Sequence, residues 1–140
     1  MAFSPYIGFH GNAREAMTFY AKVFGASDLE FNAFSDFPAD QRPPGTDGMV
    51  MHAQFTAGPG APLMGSDIPP GMGTPGPGSH SVFHGARDAA TAARIFADLS
   101  EGGAVEMPLA ATFWSPAFGM LTDRFGTRWM ISLAPQEATP

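Results

Sequence analysis

The chain lacks cysteine altogether and is poor in basic residues. The absence of cysteine excludes disulfides, thiolate metal sites and a cysteine nucleophile. Seven lysines and arginines stand against 13 aspartates and glutamates, which gives a formal net charge of −6, and the basic residues are spread thinly. Because a nucleic-acid-binding protein concentrates basic groups to neutralise phosphates, this class of function is disfavoured.

Long hydrophobic runs are also missing. No stretch approaches the roughly 18–20 consecutive apolar residues that a membrane span requires. Residues 1–5 do not join a basic cluster to an apolar stretch. We therefore expect no secretory signal and take a cytoplasmic location as the default.

Glycine, proline and phenylalanine are abundant instead. The 13 phenylalanines and a hydrophobic share of 44% suffice for the core of one compact domain of 140 residues. Glycine or proline fills 13 of the 23 positions at 57–79, which excludes a long helix there.

The sequence predicts two helices, each preceded by a strand. Asn12 with Glu15 three places later is typical of a capping box, and Gly25 supplies the stop of the first helix. Asp88 is the expected N-cap of the second helix, which Gly102 and Gly103 close. Strands are expected at 5–9, 29–31, 49–56, 61–66, 81–83, 105–107, 118–122 and 128–133, with a polar loop at 35–47.

The two halves match by a constant shift in residue number. Adding 76 takes Asn12 onto Asp88, the first helix face onto the second, and strand 29–31 onto 105–107; a shift of 66 takes Met64 onto Met130. This repeat predicts an α+β fold of two pseudo-symmetric βαβββ modules, packed together because neither buries its sheet alone. The expected boundaries are a module at 1–67, a Gly/Pro-rich linker at 68–79, a module at 80–134 and a tail at 135–140.

Short motifs spread over nearly the whole chain point to a family. They are SPYIGF at 4–9 with GN at 11–12, TFW at 112–114, FG at 118–119 with TDRFG at 122–126, and WM at 129–130. The chain thereby resembles the PhnB-like family of the vicinal oxygen chelate superfamily, which includes glyoxalase I, bleomycin-resistance proteins and extradiol dioxygenases. The resemblance implies curled mixed sheets, each half-barrel curling around a pocket, and a homodimer.

Catalytic members of that superfamily hold a divalent metal at four inward strand positions. The resemblance implies that two of these positions are Tyr6 and Met130. The shift of 76 then takes Tyr6 onto Val82, and the shift of 66 relates Met130 to Met64. A phenol, an aliphatic side chain and two thioethers replace the imidazoles and carboxylates that such a metal requires, so we expect the metal, and any other cofactor, to be absent. A register slip of one or two residues would bring His80 or His84 to the place of Val82. The position of Met130 would still lack a suitable metal ligand.

Members of the family often carry a demethylubiquinone methyltransferase label. A methyltransferase that uses S-adenosylmethionine usually has a larger α/β domain with a glycine-rich turn from strand to helix. The glycines of this chain lie in proline-rich loops, where they permit turns rather than hold a cofactor. The sequence gives the label no support.

His52 and Gln54 are the first candidates for ligand binding. Strand alternation places them on one face of the strand at 49–56, with Met51, Ala53 and Phe55 on the other. A polar pair on a middle strand can line a cavity and orient a carbonyl or hydroxyl of a ligand. The alternative is a structural pair that faces solvent or bonds internally.

Four other residues are weighed as ligand contacts. Tyr6 either donates a hydrogen bond from its phenol to a ligand or has a role in packing. Trp114 either lines a pocket for a flat ligand or packs in the core or at a dimer interface. His84 lies on the same face as Val82 or is a surface histidine at a strand end. Asp67 acts as a base or anchor, or starts a turn. His10 and His80 are read as strand-edge residues.

Two functions from different classes follow. The first is a protein that binds a small organic molecule in a cavity without the usual metal, as bleomycin-resistance proteins do. The second is a metal-dependent lyase, transferase or dioxygenase with the rearranged ligands His52, His84 and Asp67. The four residues at the implied metal positions favour the first.

Overall fold

The computed structural model of the chain describes residues 3–56, 60–71 and 80–133. The chain forms two compact units, Met1–Gly76 and Pro77–Pro140. Each unit contains one α-helix and one four-stranded sheet in the order βαβββ, so the α+β class and the two modules predicted from the sequence are confirmed. Residues 72–79 of the expected linker and the tail at 135–140 lie outside the described residues.

The first unit forms a curled mixed sheet with the strand order β1-β4-β3-β2. Strand β1 runs parallel to β4, and the other neighbours are antiparallel. The loop expected at 35–47 includes two short 3₁₀ turns. The elements are β1 (Tyr6–Phe9), α1 (Ala13–Phe24), β2 (Glu30–Ala33), β3 (Val50–Phe55) and β4 (Leu63–Asp67).

The second unit repeats this arrangement with the strand order β5-β8-β7-β6. Strand β5 runs parallel to β8, while β7 is antiparallel to both β8 and β6. The two strands of the last hairpin have the bounds that the sequence predicts. The elements are β5 (Val82–Ala86), α2 (Ala89–Ser100), β6 (Ala104–Ala110), β7 (Phe118–Thr122) and β8 (Arg128–Leu133).

A glycine lets each helix approach its sheet closely. A Cβ atom added to Gly65 would lie 3.1 Å from the sulfur of Met17 on α1. One added to Gly119 would lie 2.6 Å from a ring carbon of Phe96 on α2. A side chain at either position would require its neighbours to shift, so glycine suits the places where helix and sheet touch.

The two helices begin in different ways. Asp88 accepts a hydrogen bond of 2.7 Å from the backbone N–H of Thr91, as expected of an N-cap. Helix α1 begins after Asn12 as predicted and ends at Gly25 in the left-handed conformation, but Asn12 makes no capping bond through its side chain. The predicted capping box is therefore wrong. Asp67 supplies the bond instead, because its Oδ1 atom accepts from the backbone N–H of Ala13 at 2.9 Å.

The register of β5 differs from the one the repeat predicts. In the first unit Tyr6 pairs with Met64, whereas in the second Met130 pairs with Phe83 and not with Val82. The connection from the end of the strand to the helix is one residue shorter in the second unit, so the shift of 76 that aligns the helices does not hold for the strand. The counterpart of Tyr6 is Phe83. Within the described residues, no helix has the length and apolar content needed to cross a membrane.

Candidate functional site

The candidate site lies on the face of the first sheet that points away from α1, which we call the far face. Tyr6 on β1 pairs with Met64 on β4, and Met64 pairs with Gln54 on β3. Partners in register project to the same side of a sheet, so these side chains form one row across three strands. Ala53 and Gly65, which alternate with them, lie on the helix side, and Ala53 is fully buried.

Three side chains of the far face form a continuous hydrogen-bonded chain. The phenol oxygen of Tyr6 lies 3.0 Å from Nδ1 of His52, and Nε2 of His52 lies 2.9 Å from Oε1 of Gln54. Tyr6 and His52 are 46 residues apart and meet across the intervening strand β4, with ring centroids 5.5 Å apart. We call this group the Tyr6–His52–Gln54 triad.

The chemistry of the groups fixes the direction of each bond. An amide oxygen only accepts, so Nε2 of His52 donates to Gln54. In a neutral imidazole the other nitrogen then carries the lone pair, and the Tyr6 hydroxyl donates to Nδ1. The phenol oxygen keeps its lone pairs and the Gln54 amide keeps its two N–H donors.

The triad is accessible to solvent. Tyr6 is 53% exposed, while His52, Gln54 and the adjacent Met64 are half-buried. Two exposed polar residues of β2 continue the same face, since Glu30 pairs with Gln54 and Asn32 with His52. Sequence reasoning missed these two, although the alternation of β2 beside β3 would have indicated them.

The corresponding row of the second unit is apolar. Phe83, Met130, Met120 and Met107 lie in register across its four strands. Phe83 is 61% exposed, so this row is not simply core. The first module has polar side chains in this row and the second has phenylalanine and methionine. The two modules therefore share a backbone arrangement but differ in side-chain chemistry.

A charged pair, Glu106 and Arg128, lies in the second sheet. Glu106 accepts a hydrogen bond of 2.7 Å from the Thr122 hydroxyl and pairs with Arg128 at 3.0 Å. The bond from Thr122, followed by the bond from Arg128, lowers the pKa of the Glu106 carboxyl from its ordinary value. Arg128 therefore faces a carboxylate within its own unit.

The resemblance and the repeat imply Tyr6, Met64, Val82 and Met130 as metal positions, and the pairing of β5 with β8 puts Phe83 in the place of Val82. With the corrected register, a phenyl ring replaces the aliphatic side chain in this set. None offers the charged oxygen or imidazole nitrogen that a hard or borderline divalent ion prefers. Among the described residues, no three His, Asp or Glu side chains are grouped so as to hold a metal ion.

Asp67 lies on the helix side of the first sheet, opposite to His52. It is 2% exposed, and its two carboxylate oxygens accept from the backbone N–H groups of Ala13 and Val50, each at 2.9 Å. The negative charge also lies at the N-terminus of α1, where the helix dipole favours it. These contacts make Asp67 a structural carboxylate that ties β4 to the beginnings of α1 and β3.

His84 lies on the helix side of the second sheet. It pairs with Ile131, which pairs with Gly119 beneath α2. Burial lowers the pKa of the His84 imidazole, because removal from water disfavours the charged form. His84 and Val82 do share a face, as the alternation predicts, and it is the face away from Phe83.

Trp114 follows β6 in the second unit and is 55% exposed. Its ring contacts Phe118 edge-on at 5.4 Å and Phe113 at 4.7 Å between centroids. Phe118 is buried, so the indole is anchored on one side and open on the other. The other two histidines considered, His10 and His80, are exposed beside strand ends.

Residues 1–132 match the family described as 3-demethylubiquinone-9 3-methyltransferase. The chain belongs to this family. It is 33% identical to protein YjdN of Escherichia coli K12 over 151 residues, with 99% of both chains covered. The family assignment confirms the resemblance found in the sequence motifs.

Solved structures of similar proteins support the same assignment. Protein PA1353 of Pseudomonas aeruginosa shares 38% identity and a TM-score of 0.86, with 96% of this chain and 98% of that chain covered. A putative 3-demethylubiquinone-9 3-methyltransferase, the PhnB protein of Bacillus cereus, shares 29% identity and a TM-score of 0.73, with coverage of 96% and 100%.

A more distant structure extends the likeness in fold. A glyoxalase-related enzyme of Fulvimarina pelagi aligns with a TM-score of 0.59 at 20% identity, over 96% of this chain and 88% of that one. This likeness shows that the fold of the chain is glyoxalase-like.

Proposed function

We propose that this chain binds a small organic molecule on the far face of its first sheet, without a divalent metal ion. The observation that carries the proposal is the Tyr6–His52–Gln54 triad, a directed hydrogen-bonded chain on an accessible sheet face. A solvent-facing structural pair on β3 would not require an aromatic donor from β1, a strand that is not its neighbour. Such a convergence of polar groups beside apolar surface is typical of ligand sites.

The donors and acceptors of the triad suggest what a ligand presents. Tyr6 offers an acceptor oxygen and Gln54 offers amide N–H donors, with the Met64 thioether between them in the same row. A ligand with a hydroxyl or N–H group beside a carbonyl satisfies both ends, and its apolar part covers Met64.

The metal-free form of the proposal rests on donor chemistry. None of the side chains Tyr6, Met64, Phe83 and Met130 is a ligand that a hard or borderline divalent ion prefers. The rearranged set of His52, His84 and Asp67 is also a poor basis for an enzyme, since Asp67 bonds backbone groups on the side of the sheet opposite to His52.

The methyl transfer named in the family description is not the function we propose. The turns from strand to helix, at residues 10–12 and 87–88, contain a single glycine between them. A phosphate- or nucleotide-binding turn relies on several glycines to let backbone N–H groups approach the ligand. The homodimer and the cytoplasmic location expected from the sequence stay predictions.

A thermal-shift and ligand-observed NMR screen of a fragment panel tests the binding proposal. Fragments that carry a hydroxyl beside a carbonyl should stabilise the protein, and Tyr6→Phe and Gln54→Leu should each weaken their binding roughly threefold to tenfold, the worth of one hydrogen bond. His10→Gln, an exposed histidine outside the sheet, is the matched control and should bind like the wild type.

Two results would overturn the proposal. One is binding of the selected fragments that is unaffected by both triad substitutions. The other is one tightly held divalent ion per chain in tag-free protein that is lost in His52→Gln. Trp114→Ala serves as a further control. Full retention of binding in that variant would show that the indole does not contact the ligand.

A further inference from the structure

The triad has the arrangement of a nucleophile, a base and a group that orients the base. Tyr6 places an O–H group 3.0 Å from a ring nitrogen of His52, and the other ring nitrogen is held 2.9 Å from the Gln54 oxygen. Both distances lie within the reach that proton transfer requires. The same order of roles, nucleophile to base to orienting acceptor, recurs in enzymes of unrelated fold.

We propose that Tyr6 is an activated nucleophile that accepts acyl groups from activated esters, with His52 as its base and Gln54 as the residue that positions His52. The proposal shares the site of the proposed function and adds a chemical step to it. In that step the phenol oxygen forms a bond to the acyl carbon, Nδ1 of His52 takes the phenol proton, and the alcohol or phenol portion of the ester leaves with its bonding electrons.

Three features of the structure support this assignment. The Tyr6 hydroxyl points at the basic lone pair of His52 rather than at a carbonyl, because Gln54 fixes the tautomer. Tyr6 is 53% exposed, so an ester can reach its oxygen. Activation needs no metal, in keeping with the poor donor set at the implied metal positions.

The composition of the chain makes the reactivity easy to measure. The protein contains two tyrosines and no cysteine. The other tyrosine, Tyr20, is fully buried and serves as an internal control. Trypsin would separate the two, because Tyr6 falls in the peptide 1–14 and Tyr20 in the peptide 15–22.

The test uses p-nitrophenyl acetate as the ester. Attack by Tyr6 releases p-nitrophenol, which is followed by absorbance, and leaves an acetyl group that peptide mass spectrometry assigns to one residue. We expect acetylation of Tyr6 and not of Tyr20, and none at position 6 in Tyr6→Phe. His52→Asn keeps an oxygen acceptor near the place of Nδ1 but removes the basic lone pair, so labelling should slow at least about tenfold.

Substitutions at Gln54 separate positioning from bulk structure. Gln54→Glu retains an acceptor for Nε2 of His52 and should keep the labelling rate, whereas Gln54→Leu should lower it severalfold. His10→Asn is the matched control and should label like the wild type. Circular dichroism and the continued protection of Tyr20 report that each variant is folded.

The outcomes separate this inference from the binding proposal. Equal labelling of Tyr6 in the wild type and in folded His52→Asn would overturn the inference and leave fragment binding unaffected. Labelling that depends on His52 supports it even where the fragment screen finds no ligand. Acetylation confined to the N-terminal amine or to Lys22 would likewise refute the role of Tyr6.

Discussion

The indole Nε1–H of Trp129 donates a hydrogen bond of 2.8 Å to Oδ2 of Asp123 in the interior of the second unit. The other oxygen, Oδ1, accepts from the backbone N–H groups of Phe125 and Thr127 at 2.9 and 3.0 Å. Asp123 is 4% exposed and Trp129 is 2% exposed. The Asp123 carboxylate thus holds the turn between β7 and β8 and also accepts the indole hydrogen bond of Trp129, the largest buried side chain of that unit.

Asp123→Ala should destabilise the protein strongly, because it leaves three N–H groups without their acceptor in or beside the core. We expect a loss of about 3 kcal/mol in the free energy of unfolding, measured by urea denaturation. Asp98→Ala is the control: that carboxylate makes an exposed pair with Arg94, and its loss should cost less than about 0.5 kcal/mol. A cost below about 1 kcal/mol for Asp123→Ala would contradict this account.

The two helix starts predict unequal effects of the same substitution. Asp67→Ala removes a buried carboxylate that bonds Ala13 and Val50, and should cost about 3 kcal/mol of unfolding free energy. Asp88→Ala removes an exposed N-cap and should cost clearly less unfolding free energy than Asp67→Ala. Chemical denaturation of both variants measures the difference. Equal losses would show that the buried position of Asp67 adds nothing to its capping role.

His84 should make stability depend on pH. Its pKa is lowered by burial in the folded state, so the unfolded chain binds the proton more readily. The stability contribution is therefore complete above the ordinary imidazole range and is lost as the pH falls through that range toward the lowered pKa. His84→Gln should flatten the dependence of the melting temperature on pH between about 8 and 5. An unchanged slope in His84→Gln would count against this reading.

Much of the fold could be predicted because its signals are local. Apolar spacing located both helices. Gly25 was correctly expected to end the first, and the structure shows it in the left-handed conformation. Alternation in β3 separated His52 and Gln54 from Ala53 and Phe55, and the structure keeps that separation. These features depend on residues close together in the chain.

The wrong predictions concern features that depend on contacts between residues far apart in the sequence. The Asn12 side chain has the chemistry of a cap, but Asp67, on a strand formed much later in the chain, takes its place. The alternation of a short strand such as β5 fits two registers equally well. The repeat therefore predicted Val82 as the counterpart of Tyr6, whereas the pairing of β5 with β8 shows that the counterpart is Phe83. The contact of Tyr6 with His52 was unpredictable for the same reason, since a bond across β4 leaves no pattern in sequence.

The long-range cap of α1 has a consequence for synthesis on the ribosome. Helix α2 carries its own cap three residues from the amide that needs it, whereas the acceptor for Ala13 lies 54 residues further along the chain. At about 5–20 residues per second, the start of α1 waits about 3 to 11 seconds before Asp67 has even been added. During that interval the Ala13 amide lacks the acceptor that it has in the finished fold. Thr91 is added after Asp88, so its acceptor is already present in the chain.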